Sequence, residues 1–500
     1  MHCSTTGNIS IHYPGRHEPM TDHTNSPDNL DHEAFEAQQH AGIREWVSAH
    51  LGGEVREIVR LERWRPQWKV TYARGDGNHA VLFRGNRPVA GEHDLRFEME
   101  VMQVLEANGI QVPHIYGWVD SPKAFVMDWV ETDDRAPGMV HTAIENPDTL
   151  SEERWQALLA YMQHLAQMHA VPVAEFQHIR QLGRPPQTPR EIALHQSERM
   201  YRIGVKTGNN DTVAEFLQTW LRRNVPEHRN EARFIAGDAG QFMSAGTEVL
   251  AVMDLEIASI GDTHWDLACF RGRHPLENMG DIPALYRRYE EVSGNAVDLR
   301  VVGYYTVAFL QLSGIAAKMF MLPEVRGGNW IEGALEYSSI MRRAFEAIAE
   351  LQDIELDFDL HLPEPVTKDW EDSGLRKLLT DIERLPTSSA FAPWEKKLMS
   401  DIPRFLLGYA RHRDWFEREA TKEVSQVTGR AHTSLAEADR AMFDVLAEDD
   451  AARDAVIVPI MHRRLLRLGM ILAGTDPDFA NPLFHKLDPI LDQSASHQDH

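Results

Sequence analysis

The chain has 500 residues, 43% of them apolar, which is enough for two to four domains with buried cores. With 51 basic against 76 acidic residues the formal net charge is −25, which argues against a nucleic-acid backbone or an anionic membrane as the main partner. The two cysteines, Cys3 and Cys269, imply no disulfide framework and point to a reducing, cytoplasmic setting.

The chain opens on a polar stretch rich in His, Asn, Ser and Pro, without the apolar core of a secretion signal, and 1–40 is expected to be a disordered tail. From there to 132 the pattern predicts a small lobe. A short helix over 43–51 precedes three strands over 57–61, 68–72 and 80–84, the last two joined at the Gly75-Asp76-Gly77-Asn78 cluster. Asp94 is a candidate N-cap, and Phe97, Val101, Val104 and Leu105 recur at helical spacing until Asn108-Gly109 stops them. Val112-Pro113 and the run 124–130 supply two more extended segments. The polar run 131–134 and Pro137-Gly138 then read as a loop leaving the sheet.

Beyond that loop, 133–352 reads as a helical lobe. Thr149 with Glu152 fits a capping box, and Trp155, Leu158, Leu159, Met162, Leu165 and Ala166 form one apolar stripe. Further helices are expected around 211–223, 283–293 and 329–352. The apolar stretch 301–322 carries Gln311, Ser313 and Lys318 and reads as a buried core helix rather than a membrane span. Acids and prolines mark 353–367 as a linker. A separate helical accessory domain over 368–490 follows, with amphipathic stretches interrupted at Pro403 and Pro459, then a disordered tail over 491–500.

Chemistry concentrates between Phe234 and Phe270. Two short apolar runs, 234–237 and 249–253, end in Asp238 and Asp254, and turn signals between them suggest the two arms of one β-hairpin. Two acids held on a rigid hairpin suit phosphoryl transfer, one to orient or deprotonate a hydroxyl and one to hold magnesium on the phosphates. The 25 histidines show no H-E-x-x-H or clustered spacing, so a zinc site is not expected, and neither a G-x-S-x-G elbow nor a Walker lysine loop occurs.

The order of elements, with Arg84, Glu98 and Val126-Met127-Asp128 preceding A-G-D-A-G-Q at 236–241, M-D-L-E at 253–256 and G-D-T-H-W-D-L-A at 261–268, resembles the aminoglycoside-phosphotransferase-like small-molecule kinases. The resemblance covers roughly 45–345. It implies an α+β, protein-kinase-like bilobal fold, a five-stranded antiparallel N-lobe over a helical C-lobe, here followed by the C-terminal helices. ATP is implied as co-substrate and Mg2+ as cofactor. Carried over residue by residue, the resemblance implies that Asp238 is the catalytic-loop aspartate that accepts the hydroxyl proton, that Asp254 and Gln241 are the metal ligands, and that Arg84, Glu98, Met127, Asp128 and Val130 form the nucleotide site.

The chain departs from the family pattern in four places, the first being Arg84 where the family has a lysine. Ala236 replaces a histidine before Gly237-Asp238. Gln241 stands three positions after the Asp where the family has an asparagine five positions on. The Arg63–Lys69 segment contains no glycine, leaving Arg65, Gln67 or Lys69 to cover the nucleotide. The implied acceptor is the hydroxyl of a small metabolite, with a hydroxyacyl-coenzyme A thioester as one possibility. The alternative is a nucleotide-binding or scaffolding pseudokinase that uses the C-terminal helices to dimerise or bind a partner protein.

Overall fold

The computed structural model describes residues 32–61, 65–75, 77–86, 95–132, 134–135, 150–319, 321–322, 329–387, 392–476 and 480–491. The Asp94 cap, the Thr149 half of the capping box, the Pro137-Gly138 loop, residues 63 and 64, the tail before 32 and the tail after 491 lie outside them.

The N-lobe is one antiparallel sheet of five strands: β1 (Glu54–Arg60), β2 (Gln67–Arg74), β3 (Gly77–Gly85), β4 (Ile115–Asp120) and β5 (Lys123–Asp128), in the order β1-β2-β3-β5-β4. Its two faces follow from the period of two along each strand. Val81, Phe83, Ala124 and Val126 pack with Ile43, Trp46 and Val47 of helix α1 (His32–Trp46) and the π-helical turn after it (Val47–Leu51). Leu82, Phe125 and Met127 point the other way, onto Leu95, Phe97 and Val101 of helix α2 (Leu95–Ala107). Arg84, two residues after Leu82, therefore emerges on the α2 side. Two expected boundaries move. Helix α1 opens at His32, inside the tail drawn to 40, and β4 begins at Ile115 rather than at Val112-Pro113, where proline has no N–H to give a ladder.

The C-lobe holds α3 (Glu152–Ala170), α4 (Pro189–Lys206), α5 (Thr212–Arg223), α6 (His264–Arg273), α7 (Ile282–Ser293), α8 (Leu299–Met319) and α9 (Trp330–Gln352). Ser151 caps α3, its Oγ accepting from the Arg154 N–H at 3.0 Å. The α8 helix is long and apolar enough to cross a membrane, and 78% of its most apolar window is buried inside the lobe.

The expected single hairpin is corrected. Strand β7 (Arg233–Ile235) pairs with β10 (Ser259–Gly261), whereas β9 (Glu248–Val252) pairs with β8 (Phe242–Ala245), which also receives the short β6 (Asp134–Arg135). The reason lies between β7 and β8: Gly237 and Gly240 take φ of +81° and +100°, turning the chain out of the β7 direction before Phe242 starts a new hairpin.

The C-terminal helices are α10 (Asp369–Arg384), α11 (Ala392–Thr428), α12 (Leu435–Ala447), α13 (Asp454–Ala473) and α14 (Ala480–Phe484). They do not form a separate core. Phe405, Val424, Met442, Ile457 and Met461 belong to the same buried cluster as Met341 and Phe345 of α9 and Phe270 of α6. Helix α9 is buried on nearly all sides from Ile331 to Ala349, so one flank is left for these helices to cover. Neither proline interrupts its helix: Pro403 lies inside α11 and Pro459 inside α13. Each removes one backbone donor, and packing on both sides of it carries the helix through. Residues 354–368 form no helix or strand.

The segment after α14 returns to the C-lobe and is held by buried charges. Arg342 donates to the carbonyls of Leu483 and His485 at 3.1 and 2.7 Å, and Arg343 to His485 at 3.1 Å. Glu346 and Glu350 accept from the N–H groups of Leu487 and Ile490, both at 2.6 Å. Arg271 of α6 donates to the Asp488 carbonyl at 2.9 Å.

Candidate active site

The loop over 236–241 is gripped from below by α6. Asp266 accepts the N–H of Ala236 at 2.7 Å and of Gly237 at 2.8 Å, and also bonds His169 Nε2 at 2.9 Å. The Trp265 indole donates to the Gly237 carbonyl at 2.8 Å. A side chain at 237 is barred twice over, by the positive φ and because a Cβ would lie 2.2 Å from the Ile257 carbonyl oxygen. Helix α6 thus fixes the backbone that presents Asp238.

At the tip, Gln241 joins the two acids. Its Nε2 donates to Asp238 Oδ2 at 2.9 Å and to Asp254 Oδ2 at 3.2 Å. Asp254 follows β9 in a left-handed conformation, φ +58°, one of three non-glycine residues among those described with positive φ. Such strain on a polar residue belongs to functional sites. The other Asp254 oxygen accepts from Arg84 at 2.6 Å, while Arg84 Nε donates to Glu98 at 2.8 Å. Arg84 and Glu98 are 6% and 1% exposed, so this pair is shielded from solvent. Burial alone would lower the Arg84 pKa; the Glu98 and Asp254 carboxylates outweigh it and hold the guanidinium firmly charged.

Above this chain of contacts opens a cleft of about 760 Å³, lined by Gln67, Leu82, Arg84, Met127, Asp128, Trp129, Val130, Gln241, Phe242, Met253 and Asp254 among others. Its apolar upper wall and polar floor are the division of labour that a nucleotide base and its phosphates require. The Asp128 carboxylate is already engaged, accepting from the Tyr116 hydroxyl at 2.8 Å and the His114 N–H at 3.2 Å. Arg65, one of the three residues considered as cover for the nucleotide, is pinned across the cleft to Glu256. Lys69 lies 4.3 Å from the Trp129 ring centre and 3.4 Å from Glu131.

The donor chemistry fits magnesium, a hard cation that takes carboxylate and amide oxygens and keeps room for phosphate and water. Asp254 would supply the carboxylate, and the Gln241 amide, which already spans both acids, would supply a neutral oxygen when turned over. Glu98 and Glu256 bring further carboxylate oxygens to within 4.8 Å of those of Asp254.

Three charged residues at the site escaped sequence reasoning. Arg273 binds both oxygens of Asp238, Nε to Oδ1 at 3.0 Å and its terminal nitrogen to Oδ2 at 2.6 Å, and donates to Glu277 at 2.5 Å. Glu277 is pushed up to about 7 by burial, against the pull of Arg273 and with Asp238 adding to the rise. Glu336 of α9 is 3% exposed and is raised well above the carboxylate range, by burial first and then by Glu332. One signal was available: Arg273 follows Asp266 by seven residues, two helical turns, and so shares its face.

Residues 62–305 match the family model described as the phosphotransferase enzyme family. Acyl-CoA dehydrogenase family member 11 of Rattus norvegicus is 21% identical over 313 residues, 56% of this chain and 39% of that protein, so the chain spans well under half of this relative's length. Among solved structures, the chain is similar to macrolide 2'-phosphotransferase type I, at 15% identity over 62% of this chain and 98% of that one with a TM-score of 0.43. It is also similar to a Plasmodium vivax ethanolamine kinase, at 10% identity over 57% and 81% with a TM-score of 0.42. Over residues 62–305, just under half of its length, the chain is therefore similar to the phosphotransferase enzyme family.

Proposed function

We propose that this protein transfers the γ-phosphoryl group of ATP to a hydroxyl of a small metabolite. The observation that carries the reading is the unbroken run of contacts from Asp238 through Gln241 and Asp254 to Arg84 and Glu98, whose middle members Gln241, Asp254 and Arg84 line one cleft. In this reading Asp238 accepts the hydrogen bond of the attacking hydroxyl and takes its proton as the new P–O bond forms. Arg84, locked by Glu98, meets the α- and β-phosphates in place of the usual lysine and can do so with two parallel N–H groups. The wall of Leu82, Met127 and Val130 receives the base and excludes water from its faces. Asp254 and Gln241 would hold magnesium, whose chemistry is to neutralise charge on the phosphates. The protein's own part is positioning and electrostatic complementarity.

Acceptor identity is the finer part of the proposal. A hydroxyacyl-coenzyme A thioester is the first acceptor to assay, on the strength of the M-D-L-E-x-A-x-x-G-D pattern and the acyl-CoA in the rat relative's name. The test is a metabolite panel with labelled ATP and magnesium, read by mass spectrometry for a phosphorylated product. Product from the wild-type protein, falling about 10²- to 10⁴-fold in Asp238→Asn, is the expected result. No product from any acceptor, or product undiminished in Asp238→Asn, overturns the reading.

A second reading has its own observation. Arg84 and Gln241 already occupy both oxygens of Asp254, and Arg65 closes onto Glu256 where a glycine-rich turn would cover the phosphates. That arrangement suits a pseudokinase that binds nucleotide without turnover. Calorimetry with ATP and magnesium, showing binding in a protein that forms no product, would favour it.

A further inference from the structure

Asp238 is held from two sides. Asp266 fixes the backbone of its loop, and Arg273, two turns further along α6, takes hold of the side chain itself. The two contacts, 3.0 Å to Oδ1 and 2.6 Å to Oδ2, define the plane of the carboxylate as a single hydrogen bond could not. Arg273 is anchored in turn. Its guanidinium is 5% exposed, and its third nitrogen donates to Glu277 at 2.5 Å, four residues on.

A carboxylate has about four lone-pair directions, two on each oxygen. Arg273 and Gln241 both donate to Oδ2. Oδ1 takes Arg273 Nε and keeps one direction open. With Ala236 the loop brings no side chain of its own where the family has histidine, so the rigid helix carries the aim of Asp238.

We propose that Arg273 is the positioning residue of the phosphotransfer site, clamping the plane of the Asp238 carboxylate so that a free lone-pair direction faces the incoming hydroxyl. The proposal rests on the kinase reading. Arg273 touches neither nucleotide nor acceptor in this role; it acts through Asp238. Removing it should slow the chemical step and leave nucleotide binding alone, because Arg84, Met127 and Val130 line the other end of the cleft.

The test compares wild type, Arg273→Lys, Arg273→Gln and Arg273→Ala in magnesium–ATP, with water as acceptor and phosphate release as the readout. Lysine keeps the charge and loses the two-point grip, so kcat is expected to fall about 10- to 100-fold while KM for ATP stays within about threefold. Glutamine should fall further. Added guanidinium ion should restore about a tenfold part of the activity lost in Arg273→Ala, by refilling the site between Asp238 and Glu277. If the Gln and Ala variants fail to fold, judged by their melting curves, the Lys variant decides. Arg273→Lys at wild-type kcat, or a loss confined to KM for ATP, overturns the positioning role while leaving the kinase reading intact. A wild-type protein no faster than Asp238→Asn overturns both.

Discussion

Glu277 shows how much one buried residue can say. Its carboxyl is pushed up to about 7 from an ordinary value of 4.5 because burial outweighs the help of Arg273, whose charge is shared with Asp238. A group raised in this way keeps its proton in the folded protein at a pH where the unfolded chain has released it. Its stabilising contribution is therefore complete below about 4.5 and is lost as the pH climbs toward 7, amounting to roughly 3 kcal/mol over that window. Glu277→Gln should remove this slope: between pH 5 and 7.5 the wild type should lose stability relative to the variant, read from urea midpoints. Parallel curves would refute it. Asp262 behaves in the opposite sense. Burial alone would raise it, and hydrogen bonds from His264 and Arg229 hold it well below the carboxylate range, so its contribution disappears only on strong acidification.

At the scale of elements, the loop over 236–241 depends on one glycine. Gly237→Ala would place a methyl group against the Ile257 carbonyl in a backbone conformation that alanine avoids. It should lower stability by about 1–3 kcal/mol in denaturant titration and, by shifting Asp238, abolish phosphate release; an unaltered midpoint would contradict the steric argument. The elements also show what the sequence could tell. The continuous apolar runs of β3 and β5, buried on both faces, and the period-3.6 burial in α2 and α3 were legible because each depends only on neighbours along the chain. Asp238, Asp254, Arg84 and Glu98 were named from their motifs; in the structure hydrogen bonds through Gln241 link them in one run, of which Arg84, Gln241 and Asp254 line the cleft. What was lost is non-local. Two apolar runs cannot announce that they pair with β10 and β8 rather than with each other, since the turn that separates them is decided by Gly237 and Gly240. Nor can amphipathic helices announce whose core they will share, and for that reason the C-terminal helices read as a domain of their own. Pro403 and Pro459 misled for the same reason: propensity marks them as breaks, and tertiary packing overrides it.

For the whole molecule, the C-terminal return is the main determinant of integrity. Arg342, Arg343, Glu346 and Glu350 of α9 and Arg271 of α6 are satisfied by backbone groups of residues 483–491. Deleting everything after 482 would take away these backbone partners, while the Arg342–Glu346 and Arg271–Glu350 ion pairs remain. Unfolding should then be easier by at least about 3 kcal/mol, a shift visible in thermal melts, whereas a deletion starting at 492 should melt like the full chain. Equal melting of the two truncations would show that the return is dispensable.

There is a temporal side to this arrangement. As the chain leaves the ribosome, the two arginines of α9 emerge some 140 residues before the carbonyls that they will bind, 342 against 483 and 485. Until residues 483–491 are made, these side chains of α9 lack the backbone groups they bind. The nascent lobe is then exposed to chaperones and proteases for longer than its own length would suggest.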